Sequence, residues 1–368
     1  MRVGIIGTGF SANAHVDALK RLPYVEVVAV QSKTLSRAEH FANTHNIVYA
    51  FTDPYELIAH DKIDAIHNCT SNHMHYPINE YALEQRKFII SEKPLGISTS
   101  ESQKLVDLAQ EMKCANAVCF NYRFYPLTMQ MKDMVHHQEH GAPHLIRGSY
   151  MQDWMLYEGD YNWRSDVSIN GSSRAVADIG SHWIDTVQHI TGDQIISVFA
   201  DLSTVHPERY DGSKMIPITT EDAGLILLRF ASGLKASFVI SQVTAGRKNH
   251  FDMELSLTDA SYYWNQEKPN RLWIGKRNET NAELLKDASL LNTPAQHLAH
   301  YPGGHQEGWP DALKNLFDNF YSSVNDTTVK KEYATFEQGH HVMKIVEAIK
   351  RSHEEEQWVR VNDEEERK

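Results

Sequence analysis

Cysteine is scarce in this sequence: Cys69, Cys114 and Cys119 are the only three in 368 residues. They form no CxxC pair and no disulfide framework. Cationic residues are outnumbered, 36 Lys and Arg against 48 Asp and Glu, for a net charge of −12. That balance argues against non-specific nucleic-acid binding and against an anionic membrane surface, while leaving room for a local basic pocket for a phosphate. No apolar run approaches the ~20 residues needed to span a bilayer. The opening "MRVGIIGTGF" enters a strand pattern directly and lacks a signal-peptide layout. A soluble cytoplasmic protein, with neither nucleic acid nor membrane as partner, is the expectation. Proline and glycine are few, and 41% of the residues are hydrophobic, so composition gives no case for disorder outside the "NDEEERK" tail. The length exceeds one typical core, and two domains are expected. Histidine is plentiful, but "HHQEHGAPH" (136–144) lacks flanking Cys or carboxylates at a metal-ligand spacing. It reads as a solvated turn, and no metal is expected.

What is present first is an alternation. "RVGIIG", "VEVVAV", "DAIHNCT", "KFIISEKP" and "ANAVCFNYR" read as strands. Between them "FSANAHVDALKRL", "RAEHFANTHN", "YPINEYALEQ" and "SESQKLVDLAQEMK" read as helices, the last with Ser100 as its N-cap. This predicts a doubly wound parallel sheet over residues 1–123. Gly7-Thr8-Gly9-Phe10-Ser11-Ala12 fits G-x-G-x-x-G/A after a strand and at a helix start. Gly7 would make the tight turn, Gly9 would admit a pyrophosphate, and Ala12 would let helix and strand pack closely, so dinucleotide binding is predicted. The second strand ends in Gln31-Ser32-Lys33-Thr34-Leu35-Ser36-Arg37, with no acid between Glu26 and Glu39 to hold a ribose 2′-hydroxyl. Ser32, Lys33 and Arg37 suit a 2′-phosphate, which favours NADP over NAD.

"ADIGSHWID" (177–185) raises a different question, because an apolar helical pattern carries Asp178, His182 and Asp185. At ~100° per residue these positions fall within roughly 60° of one another, beside Val176, Ile179, Trp183, Val187 and Ile190. Taken alone, the stripe is either a wet helix face or a catalytic one.

"TSNHMH" (70–75), "EKP" (92–94), "NYRFYP" (121–126) and "ADIGSHWID" follow the dinucleotide fingerprint in this order. As a set they resemble the Gfo/Idh/MocA oxidoreductase family. The resemblance implies that Thr70, Asn72 and His75 belong to a loop beside the nicotinamide half of a cofactor, with Ser71 where the family usually has proline. It puts Glu92 and Lys93 at the cofactor too, with Lys93 able to hydrogen-bond a substrate oxygen and hold down the protonation of a nearby imidazole. On the same ground Gly171, Asp178, Gly180 and His182 match the family's acid/base helix. His182 would take the hydroxyl proton as hydride leaves a carbinol carbon. Asp178 would orient the ring or a neighbouring hydroxyl, and Gly180 would let the helix approach the nicotinamide. Asp185 would anchor the helix to a neighbouring strand, and Arg123 of "NYRFYP" joins the substrate-side candidates.

Residues 124–368 read as an α+β domain. Strand patterns such as "PHLIRGSYMQDW", "ISVFADLSTV", "DAGLILLRFA", "GLKASFVISQV" and "HFDMELSLT", with a hairpin turn at Ser232-Gly233, predict a large, open, mainly antiparallel sheet. The 174–191 helix would pack on its dinucleotide-domain side, and the free face would form a homodimer or homotetramer. Helices in "PDALKNLFDNFYSSV" and "FEQGHHVMKIVEAIKRS" close the chain, the C-terminal one free to pack back on the first domain. "QDWMLYEGDYNWRSD" (152–166) offers Trp154, Tyr157, Tyr161, Trp163 and Arg164 as either a sugar-binding wall or an aromatic core cluster. "YPGGHQEGWPDA" (301–312) adds His305 and Glu307 as polar candidates. The expected activity is NAD(P)-dependent hydride transfer to or from a sugar, polyol or related cyclic carbinol. A redox-neutral NAD-dependent glycoside hydrolase and a cofactor-sensing regulator are the alternatives, and intact Lys93, Asp178 and His182 weigh against pure regulation.

Overall fold

The structure is a computed structural model describing residues 1–362; Asp363 onward, most of the tail expected to be disordered, lies outside the described residues. The chain divides into two compact units. Unit 1 comprises residues 1–121 and 310–341, and unit 2 comprises residues 122–309 and 342 onward. The contact boundary thus falls two residues before the 123/124 boundary read from the sequence, and the segment 310–341 joins the first unit.

Unit 1 holds strands β1 (Arg2–Ile6), β2 (Glu26–Gln31), β3 (Tyr49–Phe51), β4 (Ala65–Asn68), β5 (Phe88–Ser91) and β6 (Asn116–Val118), in the order β3-β2-β1-β4-β5-β6. Every pairing is parallel, which is the dinucleotide-binding topology. Val3, Ile5 and Ile6 of β1 are fully buried, as a strand covered on both faces must be. Helices α1 (Phe10–Leu19), α2 (Leu35–His45), α3 (Pro54–Ala59), α4 (His75–Glu84) and α5 (Thr99–Met112) make the crossovers. The three-residue β3 and the short α3 carry too few residues for a visible period, and the sequence reading passed over both. The N-cap of α5 is Ser98, not Ser100: its hydroxyl accepts from the Glu101 amide at 3.2 Å, while the Glu101 carboxylate accepts from the Ile97 amide at 2.8 Å. That reciprocal pairing fixes the helix start two residues early.

Unit 2 opens with α6 (Pro126–His136) and β7 (Pro143–Met151), followed by the four-residue helix α7 (Val167–Asn170) and α8 (Ser181–Thr191). Then come β8 (Ile195–Ser203), β9 (Glu208–Tyr210), β10 (Met215–Pro217), β11 (Ala223–Phe230), β12 (Lys235–Ser241), β13 (His250–Leu257), β14 (Ser261–Asn265), β15 (Arg271–Gly275) and β16 (Ala282–Leu285). The short helix α9 (Thr293–Gln296), α10 (Trp309–Asn325), α11 (Phe336–Glu355) and β17 (Val359–Arg360) complete the chain; α10 belongs almost wholly to unit 1. Nine strands form one sheet, β16-β15-β14-β13-β7-β12-β11-β8-β17, antiparallel except where β12 meets β7. Alternation in β11 buries Ile226, Leu228 and Phe230 and exposes Leu225 and Leu227. The β11–β12 hairpin turns at Gly233, whose φ of +94° suits glycine. On the buried face, the Trp183 ring of α8 stacks on Phe238 at 4.5 Å and its indole N–H donates to the Asp252 carbonyl.

Candidate active site

In unit 1 the glycine turn is built by backbone. Gly7 has φ +106°, and a Cβ there would lie 2.6 Å from the Cys69 carbonyl oxygen. Gly9 is the N-cap of α1; nothing lies within 4 Å of a Cβ built on it, and no side chain caps the helix. The first amides of α1 therefore stand at an open cradle, which fits a pyrophosphate. Ala12 is buried in the helix–strand contact, Ser11 is half-buried, and Phe10 is 78% exposed. At the end of β2, Ser32 is buried with its hydroxyl 3.0 Å from that of Thr8, whereas Lys33 and Arg37 are exposed. No acidic residue occupies the first turn of α2.

The loops after β4 and β5 are tied together by polar side chains. Thr70 donates its hydroxyl hydrogen to the Asn68 side-chain oxygen at 2.7 Å, and Asn72 is buried in a 3-10 turn, Asn72–Met74. His75 is fully buried, with Nδ1 2.6 Å from the Pro94 carbonyl oxygen and Nε2 3.2 Å from that of Thr70. Burial lowers its pKa. It clamps the two loops rather than meeting water. Glu92 and Lys93 are half-buried, and the Glu92 carboxylate accepts from the Lys93 amide at 3.2 Å.

Beneath this loop lies a cluster that sequence reasoning missed. His15 Nε2 is 3.2 Å from Glu92 Oε1, and His15 Nδ1 is 2.9 Å from His67 Nδ1; His67 Nε2 in turn meets the Tyr321 hydroxyl at 2.7 Å. Cys69 and Cys119 pack against the same imidazole. His15, Glu92 and Cys119 have metal-ligand types within 4.8 Å of one another, one such group among the described residues. Burial pushes both thiols well above their ordinary value and His67 well below its own, so these three groups are held uncharged within a hydrogen-bonded core. Its only signal in the sequence is histidine within otherwise apolar helix and strand patterns.

In unit 2 the acid/base segment departs from the continuous helix expected. Val176–Gly180 forms a π-turn leading into α8, a local widening often found at functional sites. Glu221 builds the turn: its Oε1 accepts from the amides of Arg174 (2.9 Å) and Val176 (2.8 Å) and from the Ser173 hydroxyl (2.7 Å). The three polar residues of the stripe consequently meet different neighbours. Half-buried Asp178 accepts from Gln242 Nε2 at 2.9 Å and lies 3.8 Å from Arg164 Nε. His182, 8% exposed, sits edge-on to Tyr122 with ring centroids 5.0 Å apart, near Tyr150. Asp185 is buried in a two-pronged ion pair with Arg123 at 2.8 and 2.5 Å.

Several expectations change here. Arg123 is committed to Asp185 in the core, so Asp185 anchors α8 to the 3-10 turn Asn121–Phe124, not to a strand. Gly180 packs toward the sheet, because a Cβ there would make ordinary contact with Ile240 and Phe238. Glu307 is buried in an ion pair with Lys286 and accepts from the His300 amide; it fastens its own loop, while His305 is exposed. The 152–166 aromatics are not core. Trp154, Tyr161, Trp163 and Arg164 are all half-buried, and the Arg164 guanidinium lies 4.5 Å from the Trp163 ring centroid and 6.0 Å from that of Trp154. Unit 2 thus gathers Asp178, Arg164, Trp163 and Trp154, with His182 four residues along from Asp178.

Sequence reasoning overlooked the remaining polar groups. Tyr150 donates to Asn249 Oδ1 at 2.7 Å and meets the Tyr122 hydroxyl at 2.8 Å. Burial drives the Tyr122 pKa to about 12 and pushes that of Tyr150 well above its ordinary value. Gln152 holds both Asn249 and the Trp154 indole N–H. Polar side chains clustered at the strand end 150–152 and at 249 were the available signal.

Residues 1–120 match an oxidoreductase family with an NAD-binding Rossmann fold, and residues 128–263 match the GFO/IDH/MocA C-terminal domain. Levoglucosan dehydrogenase of Pseudarthrobacter phenanthrenivorans is 28% identical over 98% of each chain. Glucose-6-phosphate 3-dehydrogenase of Bacillus subtilis is 23% identical, over 94% of each chain. A solved levoglucosan dehydrogenase in complex with NADH and L-sorbose superposes with a TM-score of 0.91 at 26% identity, covering 98% of both chains.

Proposed function

The chain belongs to the Gfo/Idh/MocA family of NAD-binding oxidoreductases, and from that premise we propose that it transfers hydride between a nicotinamide dinucleotide and a CH–OH carbon of a sugar, polyol or related cyclic carbinol. The observation that carries this reading is the unit 2 group: a carboxylate (Asp178) and an imidazole (His182) one turn apart, beside a guanidinium stacked on indole. Indole faces suit the C–H faces of a sugar ring, and paired acid and guanidinium suit vicinal hydroxyls.

When bound, the dinucleotide supplies the hydride acceptor or donor. Gly7, Gly9 and the first amides of α1 would hold its pyrophosphate, with Phe10, Ser11 and Ala12 completing the turn. The loops carrying Thr70, Asn72, Glu92 and Lys93 would hold its other half, shaped by His75. His182 takes the hydroxyl proton in the oxidation direction. Lys93 stabilises the alkoxide charge as it develops, and Asp178 orients a neighbouring hydroxyl. Tyr161, Trp163 and Arg164 line the substrate. Exposed Lys33 and Arg37, with no acid beside them, favour NADP over NAD. A second copy of the chain is the proposed partner of the exposed sheet face carrying Leu145, Leu225, Leu227 and Trp273. Light scattering showing only monomer at micromolar concentration would contradict that partner.

The test is a panel of sugars and polyols offered with each dinucleotide while reduced cofactor is followed. Net reduction matched by one equivalent of oxidised product is expected. Turnover of a glycoside without net reduction would instead mark a redox-neutral hydrolase.

A further inference from the structure

We propose that Gln242 is the positioning residue that sets the state of Asp178, through an amide whose orientation a buried arginine dictates. The inference rests on the reading of Asp178 as an active-site carboxylate.

Gln242 follows β12 and is fully buried. Its backbone is fixed from both sides: its amide donates to the Asp222 carbonyl at 2.9 Å, and its carbonyl accepts from the Met155 amide at 3.1 Å. Its side chain lies between two charged groups. Arg174 Nη1 donates to Oε1 at 2.6 Å, and Nε2 donates to Asp178 Oδ2 at 2.9 Å. A glutamine amide can ordinarily flip, but a guanidinium has only donors. Arg174 therefore forces the oxygen toward itself and the NH2 toward Asp178. Arg174 cannot turn away, because Asp222 holds its other nitrogen and also binds Arg209. Arg209 is pinned by the carbonyls of Met155 and Tyr157 at 2.9 and 2.8 Å. The result is a chain of imposed orientation, from Asp222 through Arg174 and Gln242 to Asp178.

Four further groups bear on the same carboxylate. Arg164 Nε is 3.8 Å from Asp178 Oδ1; the Tyr150 phenol feels the Asp178 charge; His182 follows one turn on; and Glu221 holds the π-turn amides at Arg174 and Val176. With Oδ2 engaged by an N–H of the protein, Oδ1 and Arg164 form the pair that meets substrate hydroxyls. A glutamine at 242 supplies a donor at every pH. A glutamate there would supply one only while protonated.

The decisive variant is therefore Gln242→Glu, which exchanges one NH2 for one oxygen and keeps an acceptor for Arg174, so the buried cation stays partnered. Carboxyl 13C NMR of Asp178 and of the carboxyl introduced at position 242 should show the two groups sharing one proton in coupled titration steps that wild type lacks. The ratio of variant to wild-type kcat/KM should lie nearest one at the acid end. It should fall by about 10–100-fold as that shared proton leaves, the scale of one charged hydrogen bond. A loss of kcat/KM equal at all pH values would mark a merely structural role and overturn the proposal. An Asp178 resonance that titrates alike in both proteins would overturn it as well. Should wild type prove inactive on every sugar and polyol tried, the dehydrogenase reading fails, while the NMR comparison still decides Gln242.

Discussion

Each unit buries a polar network beneath its candidate residues, and the two networks solve the same problem in opposite ways. In unit 1 burial disfavours charge on His67, Cys69, Cys119 and Tyr321, which pack around His15. In unit 2 Arg174, Arg209 and Asp222 are all completely buried, and every charge faces an opposite one or a carbonyl. A neutral network can be loosened one hydrogen bond at a time, whereas an ionic one holds only while complete. The unit that orients a single carboxylate uses the stiffer arrangement.

The largest expected effect breaks that contrast in unit 2. Asp222→Ala leaves two buried guanidinium groups without their shared carboxylate, and breaking a buried pair costs about 3–5 kcal/mol. Hydrogen exchange should show unit 2 amides deprotected by that amount, with unit 1 amides nearly unchanged. Equal protection in wild type and variant would mean that the ionic network does not hold the unit.

A smaller effect lies at the surface of unit 1, which keeps its candidate charges outside its core. If Lys33 and Arg37 bind a 2′-phosphate, Arg37→Ala should weaken NADP(H) by about 1.5–3 kcal/mol and leave NAD(H) almost unaffected. Equal losses for the two dinucleotides, read by calorimetric titration, would remove the NADP preference.

Acid sharpens the comparison further. His67 and His75 have pKa values lowered by burial below the ordinary 6.5. The unfolded chain therefore takes up these protons first. Their contribution is whole above about pH 6.5 and is lost as pH falls toward the folded values, by at most about 1.4 kcal/mol per histidine for each pH unit. In unit 2, burial raises Asp185 and Glu221 above their ordinary values. Their ionisation costs stability as pH rises through those folded values, and acid relieves it. Unit 1 should open first as pH falls below about 6.5, and His67→Phe should flatten its slope. Simultaneous opening of both units in hydrogen exchange would contradict the contrast.

What could be read without coordinates follows the same division. The strand–helix alternation and Gly7–Ala12 were legible because that site is made of consecutive backbone, and glycine spacing records backbone conformation directly. The mainly antiparallel sheet was legible from alternation such as that of Ile226, Leu228 and Phe230. The surroundings of Asp178 were not. Gln242 lies 64 positions away and Glu221 lies 43 away, and neither sits in a pattern that marks it. The π-turn was hidden because its cause, the Glu221 carboxylate on the amides of Arg174 and Val176, is tertiary. Arg123 and Glu307 read as site candidates, yet each has a buried counter-ion that only folding supplies.

The most direct test of the account is His182→Ala, measured in dinucleotide binding and turnover side by side. Dinucleotide affinity should stay near that of wild type, because the proposed cradle is the backbone of unit 1. Turnover on a substrate accepted by wild type should fall by about 10²–10⁴ and lose its dependence on the ionisation of that imidazole. Near wild-type turnover with an unchanged pH profile would contradict the assignment of His182 as the base.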